Sequence, residues 1–374
     1  MSKHVEKEKP FEYLRHKNGD SYSAETISNW YVARAYVLEK LKDVAIGPTS
    51  NEHLHAVVMG DSPLMLSVVR EVALLAHFAN FDEASGSNRS VITIVSDNDT
   101  IVEELRKEEY LCNLLDHCKY SVYGSAPIHA DSYLDVELEM VRTLSVADKS
   151  GLVVQMSDND VNEFLKTSNM EDIKSIDTRK AVYVGRIYEL GVLIDNLPAE
   201  DIHSPRRYMM ALDTFEHVFL QKPMTPLINP EKWRANLIQA KNGVSSIFCA
   251  DCFELRARGM SQCCKNTKKD SNKAWEDHIE ALSISEHARW VTERLIMGVR
   301  YFNKQERIRD ERSFGGAKKQ YRNRLKKNAS DPVSVDICSF AELRRINPGD
   351  MKYDSFLMLA IPKILERIRE EDKK

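Results

Sequence analysis

The stretch "HLHAVVMGDSPLMLSVVREVALLAHFANF", His53–Phe81, decides the fold. A short β-rich run, His55 to Met59, meets Gly60, and an apolar helical pattern then continues from Leu64 to Phe78. A brief apolar run closed by a turn residue reads as a buried strand, and apolar residues at three- and four-residue steps read as a helix. The unit is strand, tight turn, helix. Downstream, "VITIVSD" (Val91–Asp97) predicts a second buried strand and "TIVEELRKEEYLCNLLDHC" (Thr100–Cys118) an amphipathic helix. "YSVYGS" (Tyr120–Ser125) predicts a short strand, "YLDVELEMVRTLSVAD" (Tyr133–Asp148) a helix, and "GLVVQMS" (Gly151–Ser157) and "KAVYVGRI" (Lys180–Ile187) two further strands. Strands alternating with helices require crossovers, so the expectation is an α/β fold with a doubly wound, mostly parallel, Rossmann-like sheet.

Around this unit the chain divides into four parts. Residues 1–50 form an arm and a docking helix, since Ile27, Trp30, Ala33, Val37 and Leu41 recur at helical spacing behind a capping Ser23. Residues 51–190 form the Rossmann-like domain. Residues 191–275 carry helical spacing broken by Pro and Gly and read as a helical connector. Residues 276–374 form a small, mainly α domain.

Composition narrows the function classes. The 374 residues carry a net charge of only -4, with acids and bases mixed, so no global field marks a nucleic-acid or membrane partner. No apolar run reaches the length of a membrane span and the N-terminus lacks a signal-peptide core, which predicts a cytoplasmic protein. Seven cysteines without regular spacing fit reduced thiols. Cys249, Cys252, Cys263 and Cys264 invite a zinc reading, but the adjacent second pair suits tetrahedral chelation poorly, and buried free thiols are the expected state.

Two regions carry candidate ligand chemistry. At the first strand-to-helix turn, Gly60, Ser62 and Asp97 are the candidate cofactor-binding residues. Gly60 either lets backbone approach a pyrophosphate or merely makes a tight turn, and Asp97 either takes ribose hydroxyls or caps the next helix. Ser62 and Met65 stand where the fingerprint's second and third glycines would be. The second region is "SISEHARWVTERLIMGVRYF", Ser283–Phe302. Ala281, Ile284, Ala288, Val291 and Leu295 form an inward stripe, while Glu286, Trp290, Glu293 and Met297 form a second row flanked by His287 and Arg294. Gly298 allows Arg300 and Tyr301 to return to that row. The row either stacks a base and binds its polar edges, or anchors a helix interface through Trp290. In "NKQERIRDERSFGGAKKQYRNRLKKN" (Asn303–Asn328), Lys318, Lys319, Arg322 and Arg324 form either a solvated loop or a phosphate clamp.

The segments "EHARWVTERLIMGVRYF" (Glu286–Phe302), "VDICSFAEL" (Val335–Leu343) and "KYDSFLMLAIPKIL" (Lys352–Leu365) resemble the prokaryotic RyR domain, the helical repeat also found in ryanodine receptors. The sequence departs from that pattern at Val299, Ser334 and Ser339. The N-terminal half resembles the Rossmann-type domain of potassium-transport regulators. This combination implies a soluble sensor of a nucleotide or nucleotide-derived messenger, with an adenine-type nucleotide as a candidate ligand and a regulatory role in ion transport, prokaryotic signalling or antiviral defence. It implies no fixed catalytic set. A homo-oligomer with a separate effector or membrane-protein partner is the expected assembly, and no module for sequence-specific nucleic-acid recognition is recognisable. Two other readings stay open: a nucleotide-processing enzyme using Glu286, His287 and Glu293 as acid-base groups, and a ligand-free oligomeric adaptor.

Overall fold

After a two-residue strand β1 (Lys7–Glu8) and a helix α1 (Ala24–Lys40), the chain enters β2 (Leu54–Met59), turns at Gly60 and continues as α2 (Pro63–Leu75). Four more strands complete one sheet: β3 (Ser90–Val95), β4 (Lys119–Val122), β5 (Val136–Val141) and β6 (Leu152–Ser157). The structure is a computed structural model describing residues 7–144, 150–194, 241–267, 271–306, 308 and 332–373. The strand order is β4-β5-β3-β2-β6, and every pairing is parallel, from His55 opposite Val91 to Leu54 opposite Leu152. With its flanking helices this is the Rossmann-like α/β fold that the strand-turn-helix unit predicts. No helix among the described residues is long and apolar enough to cross a membrane.

Two elements differ in type from expectation. The segment expected as a helix at 133–148 contains β5, whose Val136, Leu138 and Met140 are buried while Glu137, Glu139 and Val141 are half-buried, a period of two. Lys119 holds Glu137 at 2.8 Å and Thr93 Oγ1 donates to Glu139 Oε2 at 3.3 Å, so the alternating acids are engaged across the sheet. Conversely, the strand expected at 180–187 is part of the Arg179–Ile194 helix. The 100–118 segment keeps only the short Ile101–Leu105 helix before turns and a 3-10 turn at Leu114–Asp116.

The helix α1 forms behind Ser23, whose side chain accepts from Thr26 N, and it packs along α2. Arg34 fixes it further, donating through Nε and Nη2 to both carboxylate oxygens of Asp251, at 2.7 and 2.5 Å. The helix α2 lies between the sheet on one side and α1, Lys241–Asp251 and Ile279–Ile296 on the other. Met65 through Leu75 are all buried in consequence, including the charged pair Arg70 and Glu71. The Ile279–Ile296 helix is itself covered by Met351–Asp372. One continuous cluster of buried side chains runs from Phe11 through α1, α2 and the sheet to Ile368. Ser285 Oγ donates to the His77 carbonyl at 3.1 Å, and Asn113 Nδ2 donates to the Val299 carbonyl at 3.1 Å, so polar contacts also bind the C-terminal segment to the sheet half.

Candidate functional site

The sheet reverses its winding at β2, because β3 lies on one side of it and β6 on the other. Such a switch point leaves a crevice at the strands' carboxyl ends, where ligands of doubly wound proteins bind. Gly60 has φ +114, which lets the chain leave β2 sharply, and its N–H donates to the Val95 carbonyl at 3.0 Å. Ser62 caps α2 by accepting from Met65 N at 3.2 Å and donates through Oγ to Asp158 Oδ1 at 2.9 Å. Asp61 Oδ2 accepts from Ser96 Oγ at 2.7 Å, and Asp97 beside it is exposed.

This geometry brings Gly60 and Ser62 together with a residue the sequence reading passed over. A Cβ at Gly60 would lie 2.9 Å from Asp158 Oδ2. The Asp158 carboxylate therefore stands beside Gly60, where a phosphate would have to approach the start of α2, and Asp61 adds a second acid nearby. A phosphate there would meet like charges in a half-exposed site, where such repulsion is unfavourable. Hydroxyl groups suit these acceptors better.

The Ile279–Ile296 helix corrects the expected pocket row. Glu286 and Glu293 are fully buried, and neither lines a surface beside Trp290. Covered on both faces, the helix must neutralise its polar row internally. Arg289, also fully buried, donates to both oxygens of Glu286 at 2.9 to 3.0 Å and to Glu293 Oε2 at 2.9 Å. Arg256 Nη1 adds a bond to Glu286 Oε2 at 2.6 Å, and Ser245 Oγ donates to Glu293 Oε2 at 2.9 Å. Burial alone would raise the Glu286 pKa, but the attraction of Arg289 and Arg256 and their hydrogen bonds outweigh it and hold the group at about 2. A carboxylate so saturated has no capacity left to abstract a proton from a substrate.

His287 is buried as well. Its Nε2 donates to the Cys338 carbonyl at 2.9 Å, and Nδ1 faces Asp354 Oδ2 at 3.5 Å. Trp290 is half-buried against the core, with the Arg294 guanidinium 5.3 Å from its ring centroid and the His287 ring 6.1 Å away. Arg300 pairs with Glu306 at 2.8 Å, and Tyr301 is half-buried in a two-residue parallel pairing with Val333–Ser334. Lys318, Lys319, Arg322 and Arg324 lie outside the described residues. Cys249 Sγ is 3.5 Å from Glu286 Oε1, and Cys252 Sγ is 3.5 Å from the Phe248 carbonyl. Burial raises both thiol pKa values, Cys252's to about 12, and among the described residues no group of three or more His, Cys, Asp or Glu is arranged to hold a metal ion.

Sequence reasoning also passed over Arg70. Its signal is visible: a single charged pair, Arg70-Glu71, interrupts the otherwise apolar inner run of α2. Comparison with protein-family models, curated proteins and solved structures returned no match.

Proposed function

We propose that the chain is a non-catalytic sensor that takes the nucleoside end of a nucleotide-type ligand in the crevice at the carboxyl ends of β2, β3 and β6. The observation that carries this reading is the reversal of strand order at β2, which brings Ser62 to Asp158 and Asp61 to Ser96 at the strands' carboxyl ends, with Asp97 the next residue after Ser96. Carboxylates at the end of the second strand of such a fold are suited to accept ribose hydroxyls. The same carboxylates direct the ligand's phosphates away from Gly60. A regulatory role in prokaryotic signalling or defence follows from the resemblance of Glu286–Leu365 to the RyR domain. Against the enzyme reading stands Glu286, whose oxygens are bound by Arg289 and Arg256.

Titration calorimetry of the full chain with adenosine, AMP and ADP-ribose tests the proposal. Saturable binding without turnover is expected, and Asp97→Ala is expected to weaken it about tenfold, the effect of losing one or two hydrogen bonds to a charged acceptor. Turnover of any of the three would favour an enzyme. Absence of heat with all three removes the sensor reading.

A further inference from the structure

Arg70 holds an unusual position for a permanently charged side chain. It is 2% exposed, and its guanidinium carbon lies 4.6 Å from the Trp30 ring centroid and 5.4 Å from that of Phe248. Its Nε and Nη1 are buried and donate to no acceptor among the described residues. The nearest ion-pair partner, Glu71 Oε2, is 3.9 Å from Nη1, too far for a hydrogen bond. A buried guanidinium without acceptors is costly, and arginine cannot relieve the cost by losing its proton.

The chain provides an opening beside this charge. Arg70 lines a cleft whose other walls come from four separated segments: Lys17 and Tyr22 on the arm, Trp30 on α1, Glu108 between β3 and β4, and Gly298 where the chain leaves the Ile279–Ile296 helix. The cleft is small, with a cavity volume of about 20 Å³, and opens to solvent at its mouth. Arg15, Lys17 and Arg70 are its cations, and Glu108 is its lining acid. Glu108 Oε2 is already engaged, accepting from Lys17 N at 3.0 Å and lying 3.3 Å from His16 Nδ1. Neither neighbouring carboxylate, Glu71 or Glu293, hydrogen-bonds Arg70. Burial, opposed by Arg70, leaves the Glu71 pKa raised to about 7, and Glu293 is bound through Oε2 to Arg289 and Ser245.

We infer that this cleft is a binding site for a phosphate-type oxyanion, received by Arg70 at its base and by Lys17 and Tyr22 at its rim. An oxyanion supplies both the missing negative charge and several acceptor lone pairs, and arginine is the side chain whose planar donors match it. A water could accept one N–H but would leave the charge unbalanced. The candidate occupants are free phosphate and the terminus of a phosphate monoester, entering from the mouth. Binding would join the N-terminal arm, α2 and the Gly298 turn. The inference does not depend on the switch-point crevice, where Asp158 and Asp61 disfavour the same group.

The test is inorganic phosphate titrated into the full chain at constant ionic strength, read by thermal shift and by phosphorus NMR line width. A saturable rise in melting temperature beyond that given by chloride is expected. Lys17→Gln combined with Tyr22→Phe is expected to weaken binding about fivefold or more, equivalent to about one hydrogen bond. Arg70→Met is expected to abolish it, and should that variant fail to fold, the rim double variant decides. Competition by AMP would identify a phosphate monoester as the occupant, and its absence would identify free phosphate. A phosphate response no larger than that of chloride overturns the inference. So does unchanged affinity in the rim variant, or loss of the response in Asp97→Ala, which would move the anion to the crevice.

Discussion

Arg256 Nη1 lies 2.6 Å from Glu286 Oε2, and both side chains are buried. The pair joins the Phe253–Thr267 helix to the Ile279–Ile296 helix, and Arg289 completes it from the same helix as Glu286. A residue that reads as part of a ligand pocket is thus the centre of an internal charge network.

Glu286→Gln should therefore act on folding. It leaves Arg256 and Arg289 buried with one carboxylate fewer, and breaking a buried pair in this way costs roughly 3 to 5 kcal/mol. Urea denaturation measures the loss directly. A cost below about 1 kcal/mol, the range of exposed pairs, would return Glu286 to the candidate ligand groups.

The loop after α2 reaches across to the C-terminal segment through Glu83. Its Oε1 accepts from Phe340 N at 2.6 Å and its Oε2 from Ala341 N at 3.0 Å, while Ser339 caps the same helix by accepting from Glu342 N. Glu83→Ala should cost about 1 kcal/mol, the usual loss for a cap, and should speed amide exchange at Phe340 and Ala341. Unaltered exchange at both amides would show that the contact contributes nothing in solution.

Three buried groups make stability fall as the pH rises. Burial raises Glu71 from 4.5 to about 7, against the pull of Arg70, and raises Asp354 from 3.8 to about 6, against its bond with His287. Burial pushes His287 down, but Asp354 and the Cys338 carbonyl more than offset it and leave its pKa raised above 6.5. Each group binds its proton more tightly in the folded chain than in the unfolded one, so each contribution is present at low pH and is lost as pH rises through the folded value. Glu286, held at about 2 against an ordinary 4.5, works in the opposite sense, and its contribution is lost only as pH falls below its ordinary value toward 2. Glu286's contribution is complete by about pH 4.5, while Asp354 and Glu71 lose theirs from about pH 4 to 7, so the melting temperature should peak near pH 4 to 4.5 and decline toward pH 8. Glu71→Gln should flatten that decline, and a melting temperature that rises steadily from pH 5 to 8 would contradict the assignment.

How far the sequence was legible depended on what covers each element. The β2–Gly60–α2 unit was readable because a fully buried strand is a continuous apolar run, and Gly60 marks its end. "VELEMV" has strict alternation, but it sits in a longer segment whose apolar residues also satisfy helical spacing, so the longer pattern prevailed. "KAVYVGRI" failed in the other direction: eight residues rich in valine match a strand, and only the continuation to Ile194 makes them a helix. The placement of Glu286 and Glu293 was beyond reach for a different reason. Amphipathic reasoning assigns water to a polar row, whereas this row meets Arg256 from another helix, a partner that no local spacing can assign. Asp158 was missed because it faces Gly60 from the far side of the switch point, 98 residues along the chain.

Trp290 separates the two readings of the C-terminal helix. Its ring is half-buried against the core, and Arg294 stands over it at 5.3 Å, so a base could stack on that face only by displacing the guanidinium. Trp290→Ala should cost roughly 2 kcal/mol through lost apolar burial, and Arg294→Ala less than about 1 kcal/mol through the lost cation-π contact. With the nucleoside end seated at the switch-point crevice, neither substitution should change ADP-ribose affinity more than about twofold, whereas loss of a stacked base would cost about 1 to 3 kcal/mol of binding. Calorimetric titration of both variants, with their melting temperatures measured alongside, distinguishes the cases. A large loss of affinity in Trp290→Ala with little loss of stability would make the indole a stacking platform and move the ligand to the C-terminal segment.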